Sequence, residues 1–366
     1  VGFGVYVHIP FCAHRCAYCD FATWTDRAHL VDEYVDACVD DVRARVGAGA
    51  LVPATSVFCG GGTPSLLAAG ALTRILDEIP RAPGAEVTVE CNPDSVDADK
   101  VAAYAAAGVN RVSLGVQSMR THVLAALDRT HDPDNVARAV AAVRAAGIRE
   151  LNLDLIYGTP GESIDDWRAT VLAALALEPT HVSAYALTVE AGTPLGRAVS
   201  AGEQPAPDDD DQADKYLLAD DLLTAAGLEW YEISNWARPG SDCRHNGLYW
   251  HGGDYVAIGC AGHGATGGRR WWNVRTPERY VAAIRAGASP EAGSEELAPG
   301  PRAEEAFGLA LRTRPGAPPP PGSDAAVAAL VDAGLVERVG PRVTLTRRGR
   351  LLASEVTTRL ALSALR

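Results

Sequence analysis

Nowhere in this 366-residue chain do about 18 apolar residues run without interruption, so the sequence offers no membrane-spanning helix. Residues 1–10 lack the basic start of a secretory signal, and we read the protein as cytoplasmic. Basic charge is scarce too: the net charge is −13, which weighs against a protein built to grip nucleic acid, and none is expected as a partner. Only two lysines occur, Lys100 and Lys215, beside 31 arginines, a skew that reflects nucleotide composition more than chemistry. A local positive excess lies in residues 301–366, with ten Arg against six Asp and Glu. A disulfide framework is missing as well. Of eight cysteines, Cys12, Cys16 and Cys19 are clustered and Cys38, Cys59, Cys91, Cys243 and Cys260 are scattered, a pattern that favours metal or redox chemistry.

What is present is an alternation of strands and helices. Short runs rich in Val, Ile, Leu, Tyr and Phe predict strands at 3–9, 56–59, 86–91, 111–117, 150–156 and 181–188. Between them lie helical patterns. One carries Val31, Val35, Cys38, Val39, Val42 and Val46 on a single face, which makes Cys38 a core residue; others span 66–79, 97–107, 133–146 and 164–177. Six βα units imply a parallel sheet with right-handed crossovers. The fold class is α/β: a partial (β/α)6 barrel of TIM type over residues 1–200, followed by a smaller α+β C-terminal part. Reactive groups of such a barrel gather at the C-terminal ends of its strands. Gly202–Asp214 reads as a linker whose acidic run opens the next helix, 215–290 as an extension dense in Trp, His, Asn and Gly, and Gly287–Gly300 as a second linker. Residues 300–366 read as a small helical, winged-helix-like domain ending in a helix. There Arg347, Arg348 and Arg350 either face phosphates or serve as ordinary surface arginines of a packing domain, and the second reading is the stronger.

After the first strand comes Cys12-Ala-His-Arg-Cys16-Ala-Tyr-Cys19, a C-x3-C-x2-C loop. Thiolates at this spacing suit iron–sulfur or zinc. Zinc would recruit His8, His14 or Asp20 as a fourth ligand; a closed cubane would use a fourth cysteine, and none is near. Three cysteines leave one iron free to bind something other than protein. After the second strand comes Gly60-Gly-Gly-Thr-Pro64, either a tight turn or backbone that a ligand approaches closely. No Gly-Lys-Ser/Thr follows, so it is not a phosphate loop. Glu90, Gln117 and Asp154 interrupt apolar strand ends, where buried carboxylates need partners. A structural network is one reading and ligand contact the other. Arg129 either pairs with a ligand carboxylate or with its neighbours Asp128 and Asp132. Gly262-His-Gly-Ala-Thr-Gly267 matches a dinucleotide fingerprint in letters only, because no helix pattern follows it.

The cysteine spacing resembles the signature of the radical S-adenosylmethionine superfamily. In that family the open iron of a [4Fe–4S] cluster chelates the methionine moiety of S-adenosylmethionine. An electron donor reduces the cluster, and the cofactor is cleaved to methionine and a 5′-deoxyadenosyl radical. Residues 6–21, the Gly60–Pro64 run, Gly115-Val-Gln-Ser118 and Asp154-Leu-Ile-Tyr-Gly158 resemble the oxygen-independent coproporphyrinogen III oxidase group. The resemblance implies cluster ligation by Cys12, Cys16 and Cys19. It implies cofactor contacts by Tyr6, Tyr18, Gly61, Gly62, Thr63, Glu90, Gln117, Arg129 and Asp154.

Two branches of that group diverge here. The oxidases carry a further cysteine two residues past the third, where this chain has Phe21. Tyr231-Glu-Ile-Ser-Asn-Trp236 and His245-Asn-Gly-Leu-Tyr-Trp250 resemble instead the C-terminal signature of the HemW heme chaperones. That resemblance implies heme as a ligand and acceptor hemoproteins as partners. It offers His245 as an axial nitrogen and Tyr249, Trp250, Trp271 and Trp272 as flat surface for a porphyrin; Cys243, His251 and His263 are rival ligands. A core histidine is the competing reading of His245. The alternative function is a radical enzyme acting on a tetrapyrrole, although without a cysteine at position 21 no coproporphyrinogen oxidase activity is expected. Nucleic-acid modification, the third reading, is disfavoured by the acidic charge. Homodimerisation and peripheral membrane association stay open.

Overall fold

The computed structural model describes residues 2–363. Six strands form along the first half: β1 (Phe3–Ile9), β2 (Ala54–Gly61), β3 (Arg81–Cys91), β4 (Arg111–Gln117), β5 (Glu150–Tyr157) and β6 (His181–Ala186). They pair in parallel and in chain order. Strands in such a sheet are covered on both faces, which is why Val5, Val7, Ile9, Val57, Val89, Val112, Leu114 and Leu153 are all buried. Each contributes about 1.5–3 kcal/mol relative to leaving it in water. Helices Val31–Gly47, Ala69–Glu78, Ala98–Ala106, Pro133–Ala145 and Ile164–Ala176 occupy the crossovers. Side-chain caps define several of their starts: Asp97, Asp132 and Ser163 each accept from a backbone N–H, and Ser163 with Asp166 closes a capping box.

The second half extends the same sheet. The added strands are β7 (Glu229–Glu232), β8 (Asn235–Ala237), β9 (Asp254–Ile258), β10 (His263–Thr266), β11 (Arg269–Asn273) and β12 (Glu291–Glu296). The order is β12-β11-β10-β9-β1-β2-β3-β4-β5-β6-β8-β7, and among the described residues its two end strands do not pair with each other. β9 lies parallel to β1, so seven parallel strands stand where the sequence predicts six. The segment 287–300 is no linker: it holds β12, which pairs antiparallel with β11. β12 reads Glu-Ala-Gly-Ser-Glu-Glu and is largely exposed at the sheet edge, where charge discourages further pairing and erases the apolar alternation that marks a strand. The acidic run does open a helix, Asp209–Ala225, capped by Asp208.

A second core, built on Leu311, Val327, Leu330, Val343, Leu345, Val356 and Leu360, belongs to the C-terminal helices and the hairpin of β13 (Val336–Val339) and β14 (Arg342–Leu345). Arg347 and Arg350 tie this unit to helix Asp209–Ala225. Arg347 pairs with Asp220 and Asp221 at 2.8 and 2.6 Å; Arg350 reaches Asp220 at 3.0 Å and lies over the Trp230 ring. For Arg347 and Arg350 the packing reading is the one the geometry bears out. The last helix is described as Ala353–Ser363, and residues 364–366 lie outside the described residues. No helix among the described residues is long and apolar enough to cross a membrane.

Candidate functional site

At the C-terminal ends of β1–β6 lies a cavity of about 660 Å³. Its lining brings together Cys12, Cys16 and Cys19 with Tyr18, Gly61, Gly62, Thr63, Glu90, Gln117, Arg129 and Asp154. Eleven of the thirteen residues singled out from the sequence therefore share one chamber, although they are drawn from six separate chain segments. The other two, Tyr6 and His245, do not line it.

The cysteine loop rests on the glycine turn. Gly62 N–H donates to Ile9 O at 2.7 Å and Thr63 N–H to Phe11 O at 2.9 Å. A Cβ on Gly62 would come within 2.7 Å of Phe11 O and 3.0 Å of Cys12 Sγ, and Gly61 has φ +111°, a backbone region that side chains avoid. The glycines are thus required by the seat of the loop, as well as by any ligand. Thr63 Oγ1 lies 3.5 Å from Cys12 Sγ, and Arg129 Nη1 lies 3.5 Å from Cys16 Sγ. Arg129 turns its remaining donors to Gly115 O (2.9 Å) and His131 Nδ1 (3.1 Å); Asp128 pairs with His14 instead. The surface ion pair proposed for Arg129 does not form, and its guanidinium stays against the chamber.

Among the described residues no three His, Cys, Asp or Glu side chains converge on a single ion. Each corner iron of a cubane takes its own thiolate, so three cysteines lining one chamber suit a cluster. Of the three candidates for a fourth zinc ligand, His8 is committed to Tyr6 OH (3.1 Å) and Ala22 O (3.0 Å), and His14 pairs with Asp128. The donor set and the glycine cradle fit a cubane with one open iron.

Deeper in the barrel the strand register lays polar residues side by side: Glu90 opposite Ser113, Ser113 opposite Asn152, and Asp154 opposite Ser183. Ser113 Oγ donates to Asp154 Oδ2 at 2.6 Å, and Asn152 Nδ2 reaches Asp154 Oδ1 and Ser183 Oγ, each at 2.8 Å. Glu90 accepts from Gly61 N–H at 3.2 Å and has no ion-pair partner among the described residues. Burial, reinforced by the charge of Asp154, pushes its carboxyl up to about 8. Burial also raises Asp154, against the pull of its hydrogen bonds. Gln117 sits at φ +63°, uncommon for a residue with a side chain, at the very strand end where it enters the chamber. Sequence reasoning missed Ser113, Asn152 and Ser183. Polar residues at matching depths in successive strands were the signal, since small polar side chains replace the branched apolar layers that usually fill a barrel.

A smaller cavity of about 140 Å³ continues inward, and His245 borders it. The ring is 1% exposed, its Nδ1 is 2.9 Å from Ser56 Oγ and its Nε2 2.8 Å from Tyr249 OH. Burial lowers its pKa to about 3. Both nitrogens are engaged within the protein and the adjoining space is too small for a porphyrin, so the geometry corrects the assignment of His245 as a heme ligand. The core reading describes it. Tyr6 lines this inner cavity, beside the Glu90 and Asp154 that the cavity shares with the chamber, and a third cavity at the barrel mouth.

Comparison with known proteins agrees with this architecture. Residues 6–174 match the Radical SAM superfamily. A solved structure of coproporphyrinogen III oxidase (HemN) from Escherichia coli, a radical SAM enzyme, superposes with a TM-score of 0.84 over 98% of this chain and 90% of that one. At 20% identity this likeness speaks for the fold alone. The heme chaperone HemW of Mycobacterium tuberculosis (strain ATCC 25618 / H37Rv) is 46% identical over 366 residues, 97% of this chain and 93% of that protein. The HemW of Bacillus subtilis (strain 168) is 31% identical, over 96% and 97%. Identity of this order along nearly the whole of both chains means that the protein belongs to the HemW family of heme chaperones.

Proposed function

We propose that this protein is a heme chaperone: it binds heme next to a chamber for a [4Fe–4S] cluster and S-adenosylmethionine, and delivers the heme to acceptor hemoproteins. The observation that carries the reading is the adjacency of two cavities. The cysteine chamber and an aromatic cleft at the barrel mouth share Phe21, the residue that stands where the oxidases have a cysteine. Cys12, Cys16 and Cys19 would hold the cluster. Tyr18, Gly61, Gly62, Thr63, Glu90, Gln117, Arg129 and Asp154 would face S-adenosylmethionine, with Arg129 the cation for its carboxylate. When bound and reduced by an electron donor, the pair supplies one-electron chemistry; the chain's own part is to seat the loop, orient charge and exclude water. All eight cysteines are free, in keeping with a reducing cytoplasm.

Two outcomes test this. Purified protein should bind heme saturably and pass it to a heme-free acceptor, read as the acceptor's own Soret spectrum. The anaerobically reconstituted form should release no carbon dioxide from coproporphyrinogen III. Turnover of that substrate dependent on S-adenosylmethionine would establish the enzyme reading instead.

Glu90 gives a pH signature. With its carboxyl up at about 8, the ligand-free protein holds a proton there at neutral pH. A ligand presenting a cation or hydroxyl donors favours the ionised form, so binding expels that proton. S-adenosylmethionine affinity should therefore rise with pH, by up to about tenfold per unit, until about pH 8 and level off above it. Calorimetric titration between pH 6.5 and 9 checks this, and Glu90→Gln should flatten the profile. A flat profile in the parent protein returns Glu90 to a structural role.

A further inference from the structure

The cleft at the barrel mouth holds about 530 Å³, within the roughly 300–1,000 Å³ range of small-molecule pockets. Its rim is aromatic: Phe21, 68% exposed, comes from the cysteine loop and Trp272 from β11. Tyr249 and Tyr255 pack edge to face and line it further in. Large exposed aromatics on a concave surface mark a binding site more than they mark a solvent face.

Two further lining residues stand out. His263, on β10, faces Trp272 across the β10–β11 pair, with ring centroids 6.1 Å apart. Its ring is exposed and makes no hydrogen bond or ion pair among the described residues. Arg275 is likewise exposed, and its guanidinium has no ion pair or hydrogen bond among the described residues. The contrast with the other histidines of the barrel is sharp. His8, His181 and His245 each engage both ring nitrogens with protein groups. Nearby Ala261 is held at φ +52°, an uncommon backbone for a residue with a side chain, in the turn that leads into β10.

An uncommitted imidazole beside a flat indole, with an uncommitted guanidinium at the same rim, has the chemistry of an iron porphyrin site. A neutral imidazole ligates heme iron, aromatic faces cover the macrocycle, and Arg pairs with a carboxylate side chain. We propose that heme binds in this cleft, with His263 on the iron and Arg275 on a propionate. The proposal rests on the reading of the protein as a heme carrier and deepens it. It also gives the His-Asn-x-x-Tyr-Trp motif a part: Tyr249 is a wall of the cleft, and His245 holds the Tyr249 hydroxyl from behind. Because Phe21 borders both spaces, heme here lies against the cysteine loop, where cluster or cofactor binding can alter its hold.

The test is a hemin titration of the full chain followed by absorption spectroscopy. His263→Ala should shift the Soret band and weaken binding by about tenfold or more, and added imidazole should restore the parent spectrum. Arg275→Ala should weaken hemin by about tenfold yet leave the dimethyl ester of heme unaffected, since the ester lacks the carboxylates. Both variants should still assemble the iron–sulfur chromophore, which shows that they fold. His245→Gln, which retains hydrogen-bonding capacity, should keep the parent Soret position. Hemin bound by His263→Ala with the parent's spectrum and affinity overturns the proposal, as does a Soret shift confined to His245→Gln. A parent protein with no saturable hemin binding would fail the carrier reading itself, and the site would fall with it.

Discussion

Cys12→Ala, Cys16→Ala and Cys19→Ala should each leave the anaerobically reconstituted protein without the iron–sulfur absorption near about 400 nm, whereas Cys38→Ala should keep it. The three cysteines share one chamber wall, and their surroundings suit thiolate ligation. Arg129 places positive charge against Cys16, and Thr63 offers a hydroxyl to Cys12. Burial raises the thiol pKa of Cys12 and Cys19 in the metal-free protein, so iron has to displace those protons. Cys38 is a different kind of thiol. It is fully buried in helix Val31–Gly47 beside Tyr34 and Tyr280, its pKa is pushed well up by burial, and it lies away from the chamber. A cubane held by three thiolates has no spare protein ligand to replace a lost one, so the expected effect is all or nothing. Dependence on Cys38, or survival of the chromophore without any one of the three, would remove the cluster assignment.

How much of this could be read beforehand depended on whether local pattern and tertiary role coincide. The six central strands emerged within a few residues of their ends because burial on both faces concentrates branched residues in short runs. β9 is just as central, beside β1, but its Asp-Tyr-Val-Ala-Ile lies inside a segment crowded with Gly, His and Trp that masks the run. β7 and β8 are short and pair antiparallel at the β6 edge, and their signal was absorbed into a motif. β12 has no apolar pattern because it lies largely exposed at the sheet edge.

The chamber was legible for the same reason in reverse. Cysteines, glycines and carboxylates are conspicuous among apolar strand ends, and the βα frame fixes which end they occupy. Position within that end was not legible. Tyr6 and His245 line neighbouring cavities, and which space a side chain enters is decided by how the strands and helix Arg244–Trp250 pack together, which local pattern does not carry. His263 looked like one of several equivalent histidines until the hydrogen bonds separated the committed rings from the free one.

Arg111→Met is expected to be the most destabilising single substitution in the barrel, at about 3–5 kcal/mol, read as a fall in the urea midpoint. Arg111 opens β4 and its guanidinium is almost wholly buried. It donates to Glu86 Oε2 at 3.0 Å and to Ser241 O at 2.7 Å, and lies 3.5 Å from Glu150 Oε2. Glu86 in turn accepts from the His245 backbone N–H at 3.1 Å and faces Cys243 Sγ at 3.5 Å. The pair therefore clasps the start of helix Arg244–Trp250 to the bottom of the barrel, and with it the Tyr249 wall of the cleft. Methionine fills the volume but leaves Glu86 buried with no counter-charge. Lysine should not rescue, because a single ammonium cannot serve the carboxylate and the Ser241 carbonyl in the fork geometry that guanidinium provides. The double variant Arg111→Met with Glu86→Gln should recover much of the loss, since the lone buried charge is what costs most. Hemin affinity should follow the same order across these variants, for the clasp positions Tyr249 without touching heme. Arg111→Met within about 1 kcal/mol of the parent would mean that Glu86 is relieved by a proton or water, and that packing holds the helix without the charge pair.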